Sequence, residues 1–280
     1  MERLQIPLAS RGGTVHGVAW GPADRPIDVV FLHANGFNGL TYRTILEPLG
    51  AGLRVVALDQ RGHGLTTLPT VIEGREDWVE TRDDLIAVFE ALQIENVVLA
   101  GHSMGGTVSI LAAAVEPRIA RSLVLFDPVI MLEPRPPGEL RSPMVDAARR
   151  RRAMFDSRAQ AFAAYHGRGA FRTWPDPILS DYLVDGLREL PGGQVVLTCS
   201  PAWEASGFAA HGHDIAAAIA ALTCPTRIFR AEHDSTSRLE ASDFTPPGGL
   251  AVEVVPGATH FLPMERPDLV REALEAAVRA

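Results

Sequence analysis

Ser103 lies in Gly101-His102-Ser103-Met104-Gly105-Gly106, between the apolar β-rich run Val97-Val98-Leu99-Ala100 and a helix-forming stretch, Thr107 to Val115. A strand, a sharp turn and a helix in that order strain the serine and lift its Oγ off the sheet edge. A Cβ at 101 or 105 would collide with the neighbouring strand or helix, so both flanking positions need glycine. The helix starting behind the serine offers unpaired backbone N–H groups to an incoming anion. The chemistry this favours is acyl transfer. It needs a base for the hydroxyl proton, an acid to orient that base, and donors for the oxyanion.

Of the nine histidines, His260 stands out as the base. It sits in Pro256-Gly257-Ala258-Thr259-His260-Phe261, after a strand and just before the last helix, on the rim where open α/β sheets keep their sites. The order Ser…Asp…His supports it. For the acid, Asp234 closes Ile228-Phe229-Arg230-Ala231-Glu232-His233-Asp234 and is the favoured candidate; Asp127 and Glu232 are its rivals. The expected oxyanion donors are the N–H groups of Met104 and of Asn35, the latter in the loop His33-Ala34-Asn35-Gly36-Phe37. Asp59-Gln60-Arg61-Gly62-His63-Gly64 reads as a glycine-rich turn held by an Asp–Arg pair. His33 and His102 read as packing or hydrogen-bonding residues. Arg149-Arg150-Arg151-Arg152 reads as a solvated helix face, with an anionic substrate as the other reading.

These residues need a sheet to hold them. Segments 3–8 and 14–20 alternate and are split by Ser10-Arg11-Gly12-Gly13, an antiparallel pair. Runs at 27–33, 53–58, 97–100 and 122–126 then read as buried strands, with helices expected over about 40–49, 78–92 and 107–115. From 131 to 221 the alternation breaks into helical stretches near 139–166, 176–190 and 203–221, with a short β-like run at 194–198. It resumes with strands at 226–230 and 250–255 and an amphipathic helix over 267–279. The chain therefore divides into a core, 1–130 with 222–280, and an insertion, 131–221. A length of 280 residues suits one α/β unit carrying an insertion, and 46% hydrophobic residues suffice for its core.

A net charge of -8 argues against nucleic acid as a partner. Cys199 and Cys224 lie in separate segments without metal-ligand spacing, so reduced, buried thiols are expected. The N-terminus has no apolar signal region and no run approaches the length of a membrane span, which reads as a soluble, cytoplasmic protein without membrane partners.

With these motifs in place, the chain resembles the α/β-hydrolase superfamily, in the serine branch with a helical cap. The resemblance covers nearly the whole length, through the loop 33–37, the turn 59–64, the serine motif, the strand ending at Asp234, and Gly257-x-x-His260. It implies an eight-stranded, mostly parallel sheet with the second strand antiparallel and helices on both faces. It also implies a cap inserted after the sixth strand and a triad of Ser103, Asp234 and His260. Members often carry His-Gly where this chain has His33-Ala34. Related enzymes that cleave epoxides or carbon–halogen bonds place aspartate at the elbow, and Ser103 argues against both. Cap residues Phe171, Trp174, Trp203 and Phe208, with Met144, Met154 and Phe155, are candidates for an apolar pocket over Ser103. The reading is a serine esterase acting on a small or medium, largely apolar small molecule. It needs no metal or cofactor and works as a monomer or homodimer. Hydrolysis of a ring-cleavage diketone at a C–C bond, lactone hydrolysis, or a ligand-binding receptor on a slow hydrolase fold are the alternatives.

Overall fold

The computed structural model describes residues 1–132 and 142–280. The chain opens as a hairpin, β1 (Glu2–Leu8) and β2 (Gly13–Trp20), paired antiparallel from Glu2 opposite Ala19 to Leu8 opposite Gly13. Next come β3 (Val29–Leu32), a short helical turn containing α1 (Arg43–Leu46), β4 (Val55–Asp59), α2 (Val79–Leu92) and β5 (Val97–His102). α3 (Met104–Val115) and β6 (Ala120–Phe126) follow. After β6 the chain leaves the sheet to form α4 (Pro143–Arg149), β7 (Met154–Phe155), α5 (Arg158–Tyr165), α6 (Asp176–Gly186), β8 (Leu187–Glu189), β9 (Val195–Leu197), α7 (Pro201–Ala209) and α8 (Ile215–Ala220). It rejoins the sheet with β10 (Thr226–Ala231) and β11 (Leu250–Val255), and ends in α9 (Leu262–Glu265) and α10 (Pro267–Arg279).

The main sheet has eight strands in the order β1-β2-β4-β3-β5-β6-β10-β11, with β2 antiparallel to both neighbours and the strands from β4 to β11 paired in parallel. β3 is buried on both faces, as its continuous apolar run requires: Val29 and Phe31 face the layer holding α1 and α10, and Val30 and Leu32 face α2 and α3. Parallel register sets the site. Gly101 pairs with Leu125 and His102 with Phe126, so residues 103 and 127 leave the sheet side by side.

The segment between β6 and β10 is more broken than periodicity alone suggests. The stretch expected to be helical over 139–166 is two helices with β7 between them, and its first residues, 139–141, lie outside the described range. The stretch 203–221 is likewise α7 and α8. Side-chain caps start α5, α7 and α8: Ser157 accepts from the N–H of Gln160, Ser200 from that of Trp203, and Asp214 from that of Ala217. β7, β9 and β8 form a small antiparallel sheet. Two helices tie the segment down. From α6, Asp181 accepts from Thr44 N–H (2.9 Å) and hydroxyl (2.6 Å), and the Tyr182 carbonyl accepts from Asn38 Nδ2 (3.0 Å). From α7, Trp203 Nε1 donates to the Arg61 carbonyl (2.9 Å), and the Gly207 carbonyl accepts from Trp78 Nε1 (3.2 Å).

Candidate active site

Ser103 stands between β5 and α3 with φ 53° and ψ −122°, a conformation L residues rarely hold. The glycines around it are required. A Cβ on Gly101 would lie 2.5 Å from the Gly105 carbonyl carbon, and one on Gly105 would lie 2.3 Å from the Leu32 carbonyl oxygen. His260 reaches Ser103 from the loop after β11, with Nε2 3.0 Å from Oγ. Its other nitrogen, Nδ1, is 2.6 Å from Asp127 Oδ2. With Nδ1 protonated toward that carboxylate, Nε2 is left to accept the serine proton.

The carboxylate behind His260 is therefore Asp127, and the expectation of Asp234 is corrected. Asp127 follows β6, which is hydrogen-bonded to β5, so it emerges beside Ser103. Asp234 follows β10, is exposed, and lies in a left-handed bend. The last residue of β10 and the chain after that bend supply donors to Asp127 instead. Oδ1 accepts from Ala231 N–H (2.9 Å) and the Ser235 hydroxyl (2.5 Å), and Oδ2 accepts from Thr236 N–H (3.0 Å). Burial alone pushes the Asp127 carboxyl up. The His260 hydrogen bond and charge, with the Ser235 and Ala231 donors, outweigh this and hold it below the usual aspartate range. Glu232 is exposed, with Oε2 accepting from Gly257 N–H (2.7 Å).

Met104 is the first residue of α3, where its N–H has no partner within the helix. Asn35 lines the cavity beside Ser103, in a loop held by several hydrogen bonds. His63 Nε2 accepts from Gly36 N–H (2.9 Å), Phe37 N–H donates to the Ala34 carbonyl (3.1 Å), and Asn35 Nδ2 donates to the Glu204 carbonyl (2.8 Å). His33 ties the loop to Gln60, and Tyr42 bridges it to His102: Ala34 N–H donates to the Tyr42 hydroxyl (3.2 Å), which is 2.7 Å from His102 Nδ1. His102 Nε2 is 2.8 Å from the His260 carbonyl, so the packing role read for this histidine links both loops of the site. Arg61 pairs with Asp84 of α2 through two 2.7 Å bonds, not with Asp59, whose carboxylate accepts from the N–H groups of Gly39 and Leu65.

Three of these histidines are buried as neutral rings. Desolvation pushes His33 down to about 4, His102 to about 3 and His63 well below its ordinary value. Because their folded pKa values are depressed, the unfolded chain binds more protons below about pH 6.5, so the stability they allow is complete above that pH and is lost as the pH falls toward their folded values. Asp59, raised to about 7 by burial, works in the opposite sense between its unfolded and folded values. Three such rings oppose one such acid, so stability is expected to fall as the pH drops from about 6.5 toward 5. Urea unfolding at stepped pH reads this directly. A flat profile from pH 7 to 4.5 would contradict neutral burial.

A cavity of about 380 Å³ opens on Ser103, Asn35 and His260. Phe171, Phe208 and Met144 line it. Trp174 and Trp203 are not among its lining residues. Trp174 packs edge-on against Phe37 and Phe171, and Trp203 is a buried strut with its indole on the Arg61 carbonyl and the Arg75 guanidinium 3.7 Å over its ring. Phe155 is buried away from the cavity and Met154 is exposed. Sequence reading did not find Tyr165, Arg151, Arg168, Glu204 or Phe261 on the wall. Arg151 is no solvated residue: its side chain is 14% exposed and grips Glu204 through Nη1 at 2.8 and 3.0 Å.

A sheet of this order, with a strained serine after its fifth strand and a histidine–aspartate pair behind it, defines the class of α/β hydrolases. The chain belongs to the alpha/beta hydrolase family, whose model matches residues 29–273. It is a hydrolase. A 2-(acetamidomethylene)succinate hydrolase of Mesorhizobium japonicum is 28% identical over 251 residues, covering 88% of this chain and 86% of that one. A 2-hydroxy-6-oxo-2,4-heptadienoate hydrolase of Pseudomonas putida is 37% identical, over 36% of this chain and 37% of its own. The thioesterase domain from the curacin biosynthetic pathway shares the fold, with a TM-score of 0.79 at 18% identity over 98% of this chain and 99% of that one. Among the described residues no helix is long and apolar enough to cross a membrane.

Proposed function

We propose that this chain is a serine hydrolase that cleaves a carboxylic ester of a small or medium acyl group through an acyl-enzyme. The observation that carries the reading is the pair of contacts on one imidazole, Nε2 to Ser103 Oγ at 3.0 Å and Nδ1 to Asp127 Oδ2 at 2.6 Å. His260 takes the Ser103 proton as Oγ attacks the substrate carbonyl carbon. The N–H groups of Met104 and Asn35 hold the oxyanion, and Asp127 steadies the imidazolium. His260 then returns the proton to the leaving alcohol, whose C–O bond breaks. Water, deprotonated by the same nitrogen, attacks the acyl carbon and releases the acid and Ser103. These steps call for no metal or organic cofactor. Residues 131–221 act in this reading as a cap whose Phe171 and Phe208 shield the acyl group.

The test is a panel of 4-nitrophenyl esters of graded acyl length beside a vinylogous diketone, with fluorophosphonate labelling mapped by mass spectrometry. Ester turnover with label on Ser103 alone supports the reading. Cleavage of the diketone with negligible ester turnover would replace it by C–C bond hydrolysis. No turnover and no label would leave a binding protein on a hydrolase fold.

A further inference from the structure

The cavity wall carries three charged side chains besides the apolar ones: Arg151, Glu204 and Arg168. The first two cancel. Both Glu204 oxygens accept from Arg151 Nη1, and Arg151 Nη2 donates to the Tyr182 hydroxyl at 2.6 Å. Arg168 has no such answer. It is exposed, it lies between Gly167 and Gly169, whose φ values are 68° and 52°, and among the described residues no ion pair engages it. Among the described residues, Arg168 is thus the cavity-lining cation without an ion pair, in a wall rich in aromatic rings that Ser103 shares. Low-dielectric walls focus such a charge on whatever enters. A neutral ester gains nothing from it, whereas a carboxylate gains a planar, charge-assisted contact. A phosphate dianion brings more charge than one arginine answers.

From this we infer that the natural substrate carries a free carboxylate, bound by Arg168, at the far end of the acyl group that Ser103 attacks: a half-ester of a dicarboxylic acid. The inference rests on the hydrolase reading above and narrows it.

The test compares mono-4-nitrophenyl adipate with 4-nitrophenyl hexanoate, equal in chain length and differing in the terminal charge. Wild-type kcat/KM is expected to favour the adipate by about tenfold or more, the size of one charge-assisted hydrogen bond. The preference should fall several-fold between about 0.05 and 0.5 M salt. Arg168→Ala should collapse the ratio, Arg168→Lys should keep part of it, and Arg168→Glu should reverse it. Because Arg168 is exposed, none of these changes removes core packing. An equal or hexanoate-favouring ratio in the wild type, or a ratio unmoved in Arg168→Ala, overturns the inference. Failure of the hydrolase reading looks different: neither ester turns over and fluorophosphonate leaves Ser103 unlabelled. Calorimetry with adipate then still decides, since binding that Arg168→Ala abolishes supports the carboxylate site and no binding to the wild type refutes it.

Discussion

Ser103→Ala is expected to lower kcat on an activated ester by about 10⁶, leaving a residual rate about 10³–10⁴ above water from the oxyanion donors and binding. The substitution isolates chemistry from folding. Alanine has the same Cβ as serine, so the backbone at φ 53° and ψ −122° is no more strained than before. The lost oxygen contacts His260 Nε2, on a ring that keeps its Asp127 partner, so no buried charge is orphaned. Thermal unfolding should be nearly unchanged while steady-state turnover vanishes. A variant retaining even a tenth of the wild-type rate would remove Ser103 from the nucleophile role and return the site to a binding reading.

How far this site is visible in the sequence depends on the range of the interaction that makes each part. The strands are legible because burial on both faces demands continuous apolar runs, as at Val29–Leu32. The closing helix, Pro267–Arg279, is legible from its apolar stripe. Ser103 and His260 are legible because the glycine pair and the position after a strand are local requirements. The acid is not, since both Asp127 and Asp234 follow a strand and both satisfy the order Ser…Asp…His. What separates them is strand adjacency in the sheet, β5 beside β6, and the return of Ser235 and Thr236 onto Asp127. The run Asp234-Ser235-Thr236-Ser237, with three hydroxyls after a strand, is the trace of that arrangement in sequence. The cavity wall is legible only in type. Spacing identifies aromatics in the insertion, but it does not tell Phe171, on the wall, from Trp203, whose N–H is fixed to Arg61. Arg151 looks like its three neighbours until Glu204, more than fifty residues away, supplies the counter-charge that lets it be buried.

Asp127→Asn is expected to lower kcat by about 10⁴, whereas Asp234→Asn should change it by no more than about twofold. An amide at 127 cannot satisfy the donors around it. Its NH₂ would face either Ala231 N–H and the Ser235 hydroxyl, or Thr236 N–H and His260 Nδ1–H, which are all donors to the present carboxylate. If the amide nitrogen faces His260, the ring must move its proton to Nε2, and it then no longer accepts from Ser103. If the nitrogen faces Ala231, a buried N–H loses its acceptor, at a cost of about 1–3 kcal/mol. Activity is therefore measured with unfolding on the same preparations, at a temperature where both variants are folded. Asp234, exposed and out of contact with the imidazole, has no such web to break. A large loss in Asp234→Asn with a small one in Asp127→Asn would mean that the working enzyme draws its acid from the end of β10. That would require residues 232–237 to rearrange around His260 and to withdraw the Ser235 and Thr236 donors now gathered on Asp127.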